Sequence, residues 1–269
     1  MSTLQPTQGI DTHAHVFSST APPVGGARYR PAYAARLQTW QALWPLARIT
    51  RGVLVQPSFF GTDNAEMLAA IGQDPLRLRG VAVVARTVGD EQLARLEEGG
   101  VRAVRLNLKG AEEHSAFMAA DWKAFFARIH ARGWHVEIYV DHGRLPEVAV
   151  KFNASEVALV LDHFGNPGID KRAIEATFDA AEKLATSRAV WCKLSGPYRL
   201  GGTDRLSLGS RWLEVLGPAR LVWGSDWPYT SHESAGDYRR LHDDLAASVG
   251  KERRGAVLWD NAARLYRFD

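Results

Sequence analysis

Short runs of β-branched and aliphatic residues, bounded by turn formers, recur eight times along the chain. They predict strands at Ile10–His15, Gly52–Gln56, Gly80–Val84, Ala103–Leu108, His135–Val140, Ala158–Asp162, Val190–Leu194 and Leu221–Ser225. Between them, apolar positions return at helical spacing over Asp63–Ile71, Asp90–Glu98, Trp122–Ala131, Leu145–Val150, Lys171–Ala185 and Leu208–Leu216. A last such run, Tyr238–Ser248, follows the eighth strand. Asp63 and Asp90 stand where N-caps would, and Gly133 and Gly250 each follow a helical run. The strands are mostly apolar on both sides, as in a parallel sheet covered by helices. Eight alternations of strand and helix predict an α/β fold, a single (β/α)8 TIM-type barrel, rather than an open sheet. The irregular stretch Phe17–Tyr29, with Pro22-Pro23 and Gly25-Gly26, leads through Pro31 into a helical run containing Trp40 and Trp44. The expectation is therefore one domain, residues 1–269, with an inserted loop and helix at about 17–48 after the first strand. Such a loop lies at the catalytic end of a barrel and either covers a pocket or is a surface Ω-loop.

Composition narrows the class. With 269 residues, 46% hydrophobic and 23% charged, the chain suits one barrel and excludes disorder, collagen and coiled coil. No apolar run approaches the ~18–20 residues that span a bilayer, and Met1–Ile10 has neither the charged start nor the apolar centre of a leader. A cytoplasmic protein without a membrane partner is expected. The lone Cys192 can form neither an intramolecular disulfide nor a cysteine zinc site, so any metal falls to His, Asp or Glu. Thirty-three basic against 30 acidic residues, dispersed along the chain, leave a net charge of +3 and no nucleic-acid footprint. A small anionic ligand remains open, as does the oligomeric state.

The ionisable residues gather at the carboxyl ends of the predicted strands. His13 and His15 end the first, two residues apart and hence on the same side. Arg105 lies in the fourth, Tyr139 and Asp141 end the fifth, His163 ends the sixth, Arg199 follows the seventh and Asp226 ends the eighth. Singly, each has a structural explanation: His-x-His as a hydrogen-bonded pair, Asp226 before Trp227-Pro228 as a turn residue, Arg105 as partner of a buried carboxylate. Together they mark the face of a barrel where catalytic residues come from several strand ends.

These residues carry a resemblance. Asp11-Thr12-His13-Ala14-His15-Val16-Phe17, Val101-Arg102-Ala103-Val104-Arg105-Leu106-Asn107, Leu161-Asp162-His163-Phe164-Gly165 and Trp223-Gly224-Ser225-Asp226-Trp227-Pro228 resemble the amidohydrolase superfamily. The branch is that of 2-pyrone-4,6-dicarboxylate lactonase and related sugar lactonases, and Asp260-Asn261-Ala262-Ala263-Arg264-Leu265-Tyr266 is similar to its C-terminal helix. The resemblance runs from about Gly9 to Tyr266 and implies a (β/α)8 barrel that hydrolyses at a carbon centre. In metal-dependent members the matching residues, His13, His15, His163 and Asp226, would be ligands. The fifth strand ends without a Lys, and Cys192-Lys193-Leu194-Ser195 closes the seventh without a His, which speaks against two metals. One zinc on three His and one carboxylate is chemically complete. Metal-independent members of the branch instead use the His cluster to polarise a lactone carbonyl and the last-strand Asp as base.

The resemblance and the residues lead to one expectation, a cofactor-free hydrolase opening a small anionic lactone. His13, His15 and His163 would stabilise the oxyanion, and Asp226, its pKa raised by desolvation between Trp223 and Trp227, would be the general base. Arg105 and Arg199 would clamp a substrate carboxylate, with Tyr139 in support and Ser58 as a lesser candidate. Lys109 is a second anion contact or a solvated side chain, and Asp141 and His142 serve orientation or structure. The pyrone dicarboxylate lactonase has an additional Arg just past the Lys of the fourth-strand loop, where this chain has Lys109-Gly110-Ala111. A smaller lactone with at least one anionic group is therefore preferred over a dicarboxylate held by three Arg. Two alternatives stand beside this: a mononuclear zinc hydrolase or decarboxylase built on the same four residues, and a non-catalytic ligand-binding barrel.

Overall fold

Eight parallel strands pair in sequence order, β1 Gly9–Ala14, β2 Ile49–Val55, β3 Leu78–Ala82, β4 Val101–Leu108, β5 His135–Val140, β6 Ala158–Leu161, β7 Val190–Leu194 and β8 Leu221–Trp223. The computed structural model describes residues 8–20, 23–25, 27–29 and 31–268. The ring closes between β1 and β8. Ala14 bridges Trp227 in parallel, the Asp226 amide donates to His13 O at 2.8 Å, and the His15 amide donates to Trp227 O at 2.8 Å. The buried Asp11 carboxylate fastens the same seam, accepting from the Ser225 amide, the Trp40 indole and the Tyr238 hydroxyl at 2.8, 2.9 and 3.0 Å. A register shift between Asp11 and Ala14 breaks the strand alternation, so that His13 and His15 both reach the lumen while Asp11 faces the wall.

Helices cover the outside: α1 Leu37–Gln41, α2 Ala65–Gln73, α3 Asp90–Glu98, α4 Ala111–Ala119, α5 Lys123–Ala131, α6 Leu145–Ala149, α7 Lys171–Ala185, α8 Arg205–Leu216, α9 Tyr238–Val249 and α10 Asn261–Tyr266. Helix α7 has the clearest amphipathic face, with Thr177, Phe178, Ala181 and Leu184 buried, and an Asp170 side chain that caps the Ala173 amide. Asp204 and Asp237 cap α8 and α9 in the same way. Two expected caps differ. Asp90 is the first residue of α3, beyond a Gly89 cap, where its charge meets the positive helix end. Asp63 lies one residue before the α2 cap and accepts from the Ala65 amide.

The lumen is apolar at the amino ends of the strands and polar at the carboxyl ends. Val53, Val55, Val81, Val160, Trp191 and Val222 fill the lower part, which Ala262 and Tyr266 of α10 and the following Phe268 close from below. The insertion after β1 begins with an antiparallel bridge, Phe17 to Ala35. It continues through α1, whose Trp40 lies on the bare backbone of Gly52 in β2: a Cβ there would stand 2.2 Å from the ring. Residues 21, 22, 26 and 30 of this expected loop lie outside the described residues. Among the described residues no helix is long and apolar enough to cross a membrane.

Candidate active site

Four expected residues converge at the carboxyl end of the lumen. The Nε2 atoms of His13, His15 and His163 lie 3.7, 3.9 and 3.9 Å from one oxygen, Asp226 Oδ1, and all four side chains are buried. The other oxygen, Oδ2, accepts from the Tyr198 hydroxyl at 2.7 Å and from Arg199 Nε at 2.6 Å. His163 and Asp226 both sit in the left-handed region, at φ 51° and 61°, as do Phe164 and Tyr229 beside them. Such backbone costs about 1–3 kcal/mol per residue, and here it turns the ends of β6 and β8 so that imidazole and carboxylate face each other.

The expected raised pKa of Asp226 is corrected by its surroundings. Burial alone would push the carboxyl up, but the Arg199 guanidinium and the imidazoles of His163, His13 and His15 hold it well below the usual carboxylate range. Asp226 is thus ionised at any working pH. Burial moves the histidines the other way. His15 is lowered to about 3 by desolvation, with His13 and the Arg105 guanidinium adding to it, and His163 is held well below its ordinary value. Desolvation and Lys193 lower His13. All three are neutral near pH 7.

The ring partners fix two of the three tautomers. His15 Nδ1 stands 2.7 Å from Val55 O, and a carbonyl only accepts, so the proton is on Nδ1 and Nε2 presents a lone pair. His13 Nδ1 stands 3.2 Å from Lys193 Nζ, and an ammonium only donates, so the proton is on Nε2. Asp162 Oδ1 is also near that nitrogen, but at 3.5 Å it is farther away than the ammonium. His163 Nδ1 pairs with the Ser195 hydroxyl at 2.9 Å, which serves either tautomer. The expectation of three donating imidazoles is thereby reduced to His13 and His163, with His15 an acceptor.

This bears on a metal. Ligand atoms of His13, His163 and Asp226 come within 4.8 Å of one another, and His13 Nε2 and Asp226 Oδ1 are buried with no hydrogen-bond partner among the described residues. Zinc bonds of about 2.0–2.1 Å require lone pairs on every ligand nitrogen. His13 offers an N–H instead, so the donor set His13, His15, His163 and Asp226 does not fit a metal as it stands. A second group, His13, Glu137 and Asp162, is filled by the Lys193 ammonium at 3.2, 2.8 and 3.3 Å.

Above this floor opens a cavity of about 210 Å³, lined among others by Ser58, Arg105, Lys109, Tyr139 and Arg199. Arg105 Nε pairs with Asp162 Oδ2 at 2.9 Å, the buried-carboxylate partnership foreseen as its structural explanation, while its side chain also lines the cavity. Arg199 is tied to Asp226 Oδ2 at 2.6 Å and to Thr230 O at 3.0 Å, so its guanidinium holds that carboxylate rather than standing free for a ligand's. Lys109 Nζ donates to the Tyr139 hydroxyl at 3.2 Å, and the Tyr139 ring stands edge-on to His163. Ser58 is exposed at the rim. Asp141 accepts from the Gly110 amide at 2.7 Å and shapes the β4 loop, and His142 is exposed and does not line the cavity.

Several contributors were not singled out from sequence: Lys193, Glu137, Asp162, Ser195, Tyr198 and Arg28. Arg28, from the insertion, lines the cavity, donates to Asn107 Oδ1 at 3.2 Å and pairs with Glu113. For β5 and β7 the signal was there, since alternation puts His135, Glu137 and Tyr139, and Trp191, Lys193 and Ser195, on the lumen side.

The comparisons agree with this geometry. The amidohydrolase family matches residues 10–268. A 2-pyrone-4,6-dicarboxylate hydrolase of Comamonas testosteroni is 31% identical, over 97% of this chain and 90% of its own length. A 4-sulfomuconolactone hydrolase of Rhizobium radiobacter is 29% identical over the same shares. Among solved structures, a probable 2-pyrone-4,6-dicarboxylic acid hydrolase from Acinetobacter baumannii with citric acid bound superposes with a TM-score of 0.85 at 34% identity, covering 97% of this chain and 100% of the other. With the eight-stranded barrel, the histidine cluster and the last-strand aspartate in place, the chain belongs to the amidohydrolase family.

Proposed function

We propose that the protein hydrolyses a small anionic lactone, using its own side chains and no metal. The observation that carries this reading is the convergence of three neutral imidazoles on the free Oδ1 of an ionised Asp226, at the floor of a cavity walled by Arg28, Arg105 and Lys109. The named activities of the relatives, on a pyrone dicarboxylate and a sulfomuconolactone, support the substrate class.

In this reading the His13 N–H, with His163, donates to the lactone carbonyl and stabilises the oxyanion that forms on attack. Asp226 Oδ1 takes a proton from the attacking water, and His15 Nε2 accepts from the same water and orients it. The carbonyl–oxygen bond of the ring then breaks, and the proton held by Asp226 passes to the leaving oxygen. Lys109 and the outer edge of Arg105 hold the anionic substituent, with Tyr139 beside them. Arg199 and Tyr198 keep Oδ2 occupied, so the reacting oxygen is Oδ1.

The test is hydrolysis of a panel of carboxylated, sulfonated and neutral lactones by protein treated with a chelator. Turnover of the anionic members that survives chelation is expected. Turnover only after zinc is added would replace this reading with the mononuclear zinc hydrolase, and saturable binding without turnover would leave the non-catalytic barrel.

A further inference from the structure

We infer that Lys193 is a positioning residue whose ammonium, by donating to His13 Nδ1, holds His13 as the Nε2–H tautomer and keeps the histidine cluster from completing a metal site. The inference deepens the lactonase reading above and rests on it for its catalytic consequence, though not for the tautomer itself.

Lys193 stands in the middle of β7 with no exposed surface. Its ammonium donates to Glu137 Oε2 at 2.8 Å and to His13 Nδ1 at 3.2 Å, and forms an ion pair with Asp162 Oδ1 at 3.3 Å. Glu137 is in turn fixed by the Tyr266 hydroxyl from α10 at 2.6 Å, so the ammonium is held from below as well as from the sides. A lysine ammonium has three N–H donors and no lone pair to offer. His13 therefore accepts at Nδ1. A neutral imidazole has a single N–H, which then points from Nε2 toward Asp226 Oδ1, 3.7 Å away. That spacing is too long for a hydrogen bond, so the N–H is free for an oxygen that lies to the side of the line joining the two atoms.

The same contact decides against a metal. A ligand histidine ordinarily donates its other N–H to a carboxylate, which turns the lone pair toward the ion. Here the carboxylate is present, Asp162 Oδ1 at 3.5 Å from Nδ1, but the ammonium takes the nitrogen first. Without Lys193, Nδ1–H would donate to Asp162, Nε2 would present its lone pair, and His13, His163 and Asp226, whose ligand atoms lie within 4.8 Å of one another, would be able to share an ion with His15 nearby. Lys193 thus selects between two uses of one cluster.

The experiment has two arms. In protein labelled with 15N at histidine, long-range correlations between ring nitrogens and carbon-bound protons distinguish the tautomers, and His13→Gln assigns the signal. The wild type should show His13 with a protonated Nε2 and His15 with a protonated Nδ1. In the second arm, zinc affinity is measured by competition with a chelating dye for the wild type, Lys193→Met and the double variant Lys193→Met/Glu137→Gln. The double variant removes the buried carboxylate that the single one leaves without its ammonium. One zinc should bind about 100-fold more tightly to the folded variant than to the wild type, and the His13 signal should move to the Nδ1–H form. A wild-type His13 already in the Nδ1–H form would overturn the inference whether or not the variants fold. So would a folded variant with unchanged tautomer and zinc affinity. If the wild type opens no lactone while both arms come out as expected, the lactonase reading falls and the role of Lys193 stands.

Discussion

Asp226 treats its two oxygens unequally, and the difference defines what each neighbour does. Oδ2 is saturated by Tyr198 and Arg199, while Oδ1 has no hydrogen-bond partner among the described residues and faces the three imidazoles. Replacing Asp226 by Asn keeps the shape but removes the charge, so lactone turnover should fall by about 10²–10⁴, the usual share of a general base. The change also strands the Arg199 guanidinium, at a cost of about 3–5 kcal/mol if no anion replaces the carboxylate. Circular dichroism alongside kcat separates the two effects, and a folded Asp226→Asn protein retaining more than about a tenth of the rate would deny Asp226 the role of base. Arg199→Met should act through Asp226 and lower kcat on charged and neutral lactones alike. Lys109→Met should behave differently, because Lys109 Nζ donates to the Tyr139 hydroxyl and makes no ion pair with a carboxylate among the described residues. Losing one charge-assisted hydrogen bond of about 1.5–3 kcal/mol should raise KM for anionic lactones about 10- to 100-fold and leave neutral ones unchanged. Equal effects of Lys109→Met on both classes would place the anion elsewhere, with Arg28 next in line.

At the scale of elements, the turn after β7 carries more of the site than its length suggests. Gly196 has φ +55°, and a Cβ there would stand 2.8 Å from Asp226 Oδ2 and 3.0 Å from His163 Nδ1. Gly196→Ala should push the carboxylate away from Arg199 and lower kcat at least tenfold, a barrier change of about 1.4 kcal/mol, with the barrel still folded. Wild-type kcat in this variant would mean that the turn yields and that the close approach is incidental. The sequence revealed such elements unevenly. The strands were legible because both of their faces are buried and apolar, and α3 and α7 because their apolar stripes are regular. Helix α4 was not, since it buries only His114 and Phe117 and offers almost no periodicity. The histidines and Asp226 were legible because polar residues at strand ends stand out. Glu137 and Lys193 sit inside apolar strands, where a charged residue has meaning only once its partner on another strand is known. Lys193 entered the sequence argument merely as a place where no histidine stood. The approach of Arg28 to Asn107 joins positions 79 residues apart and has no local signature.

For the whole molecule, the buried polar lumen is close to electrically balanced. The carboxylates of Glu137, Asp162 and Asp226 are matched by Lys193, Arg105 and Arg199, which leaves the histidines no reason to be charged. Desolvation opposes ionisation of the three carboxyls, but the cations win. Glu137 is held at about 2, chiefly by Lys193, and Asp162 well below its ordinary value by Lys193 and Arg105. Burial lowers His13, His15, His163 and His135, with His15 at about 3. Both kinds of group act in the same direction on stability. As pH falls below about 6.5, the histidines of the unfolded chain take up protons that the folded chain refuses, so stability is lost from there downward. Near pH 4 the unfolded carboxyls begin to protonate as well, and the folded ones lag behind. Each buried histidine adds a slope of up to about 1.4 kcal/mol per pH unit. The urea midpoint should therefore be level above pH 7 and fall steeply from pH 6.5 to 5. Within the folded state Asp226 stays ionised and His15, lowered to about 3, stays neutral over that whole range, with His163 well below and His13 below its ordinary value. The rate should consequently not titrate on its own, and activity and far-ultraviolet ellipticity should disappear together on acidification. A fall in kcat/KM with an ordinary histidine pKa near 6.5, in protein still fully folded, would show that an imidazole of the cluster gains a proton in the native state, and would undo the neutral donor and acceptor assignments on which the proposed chemistry stands.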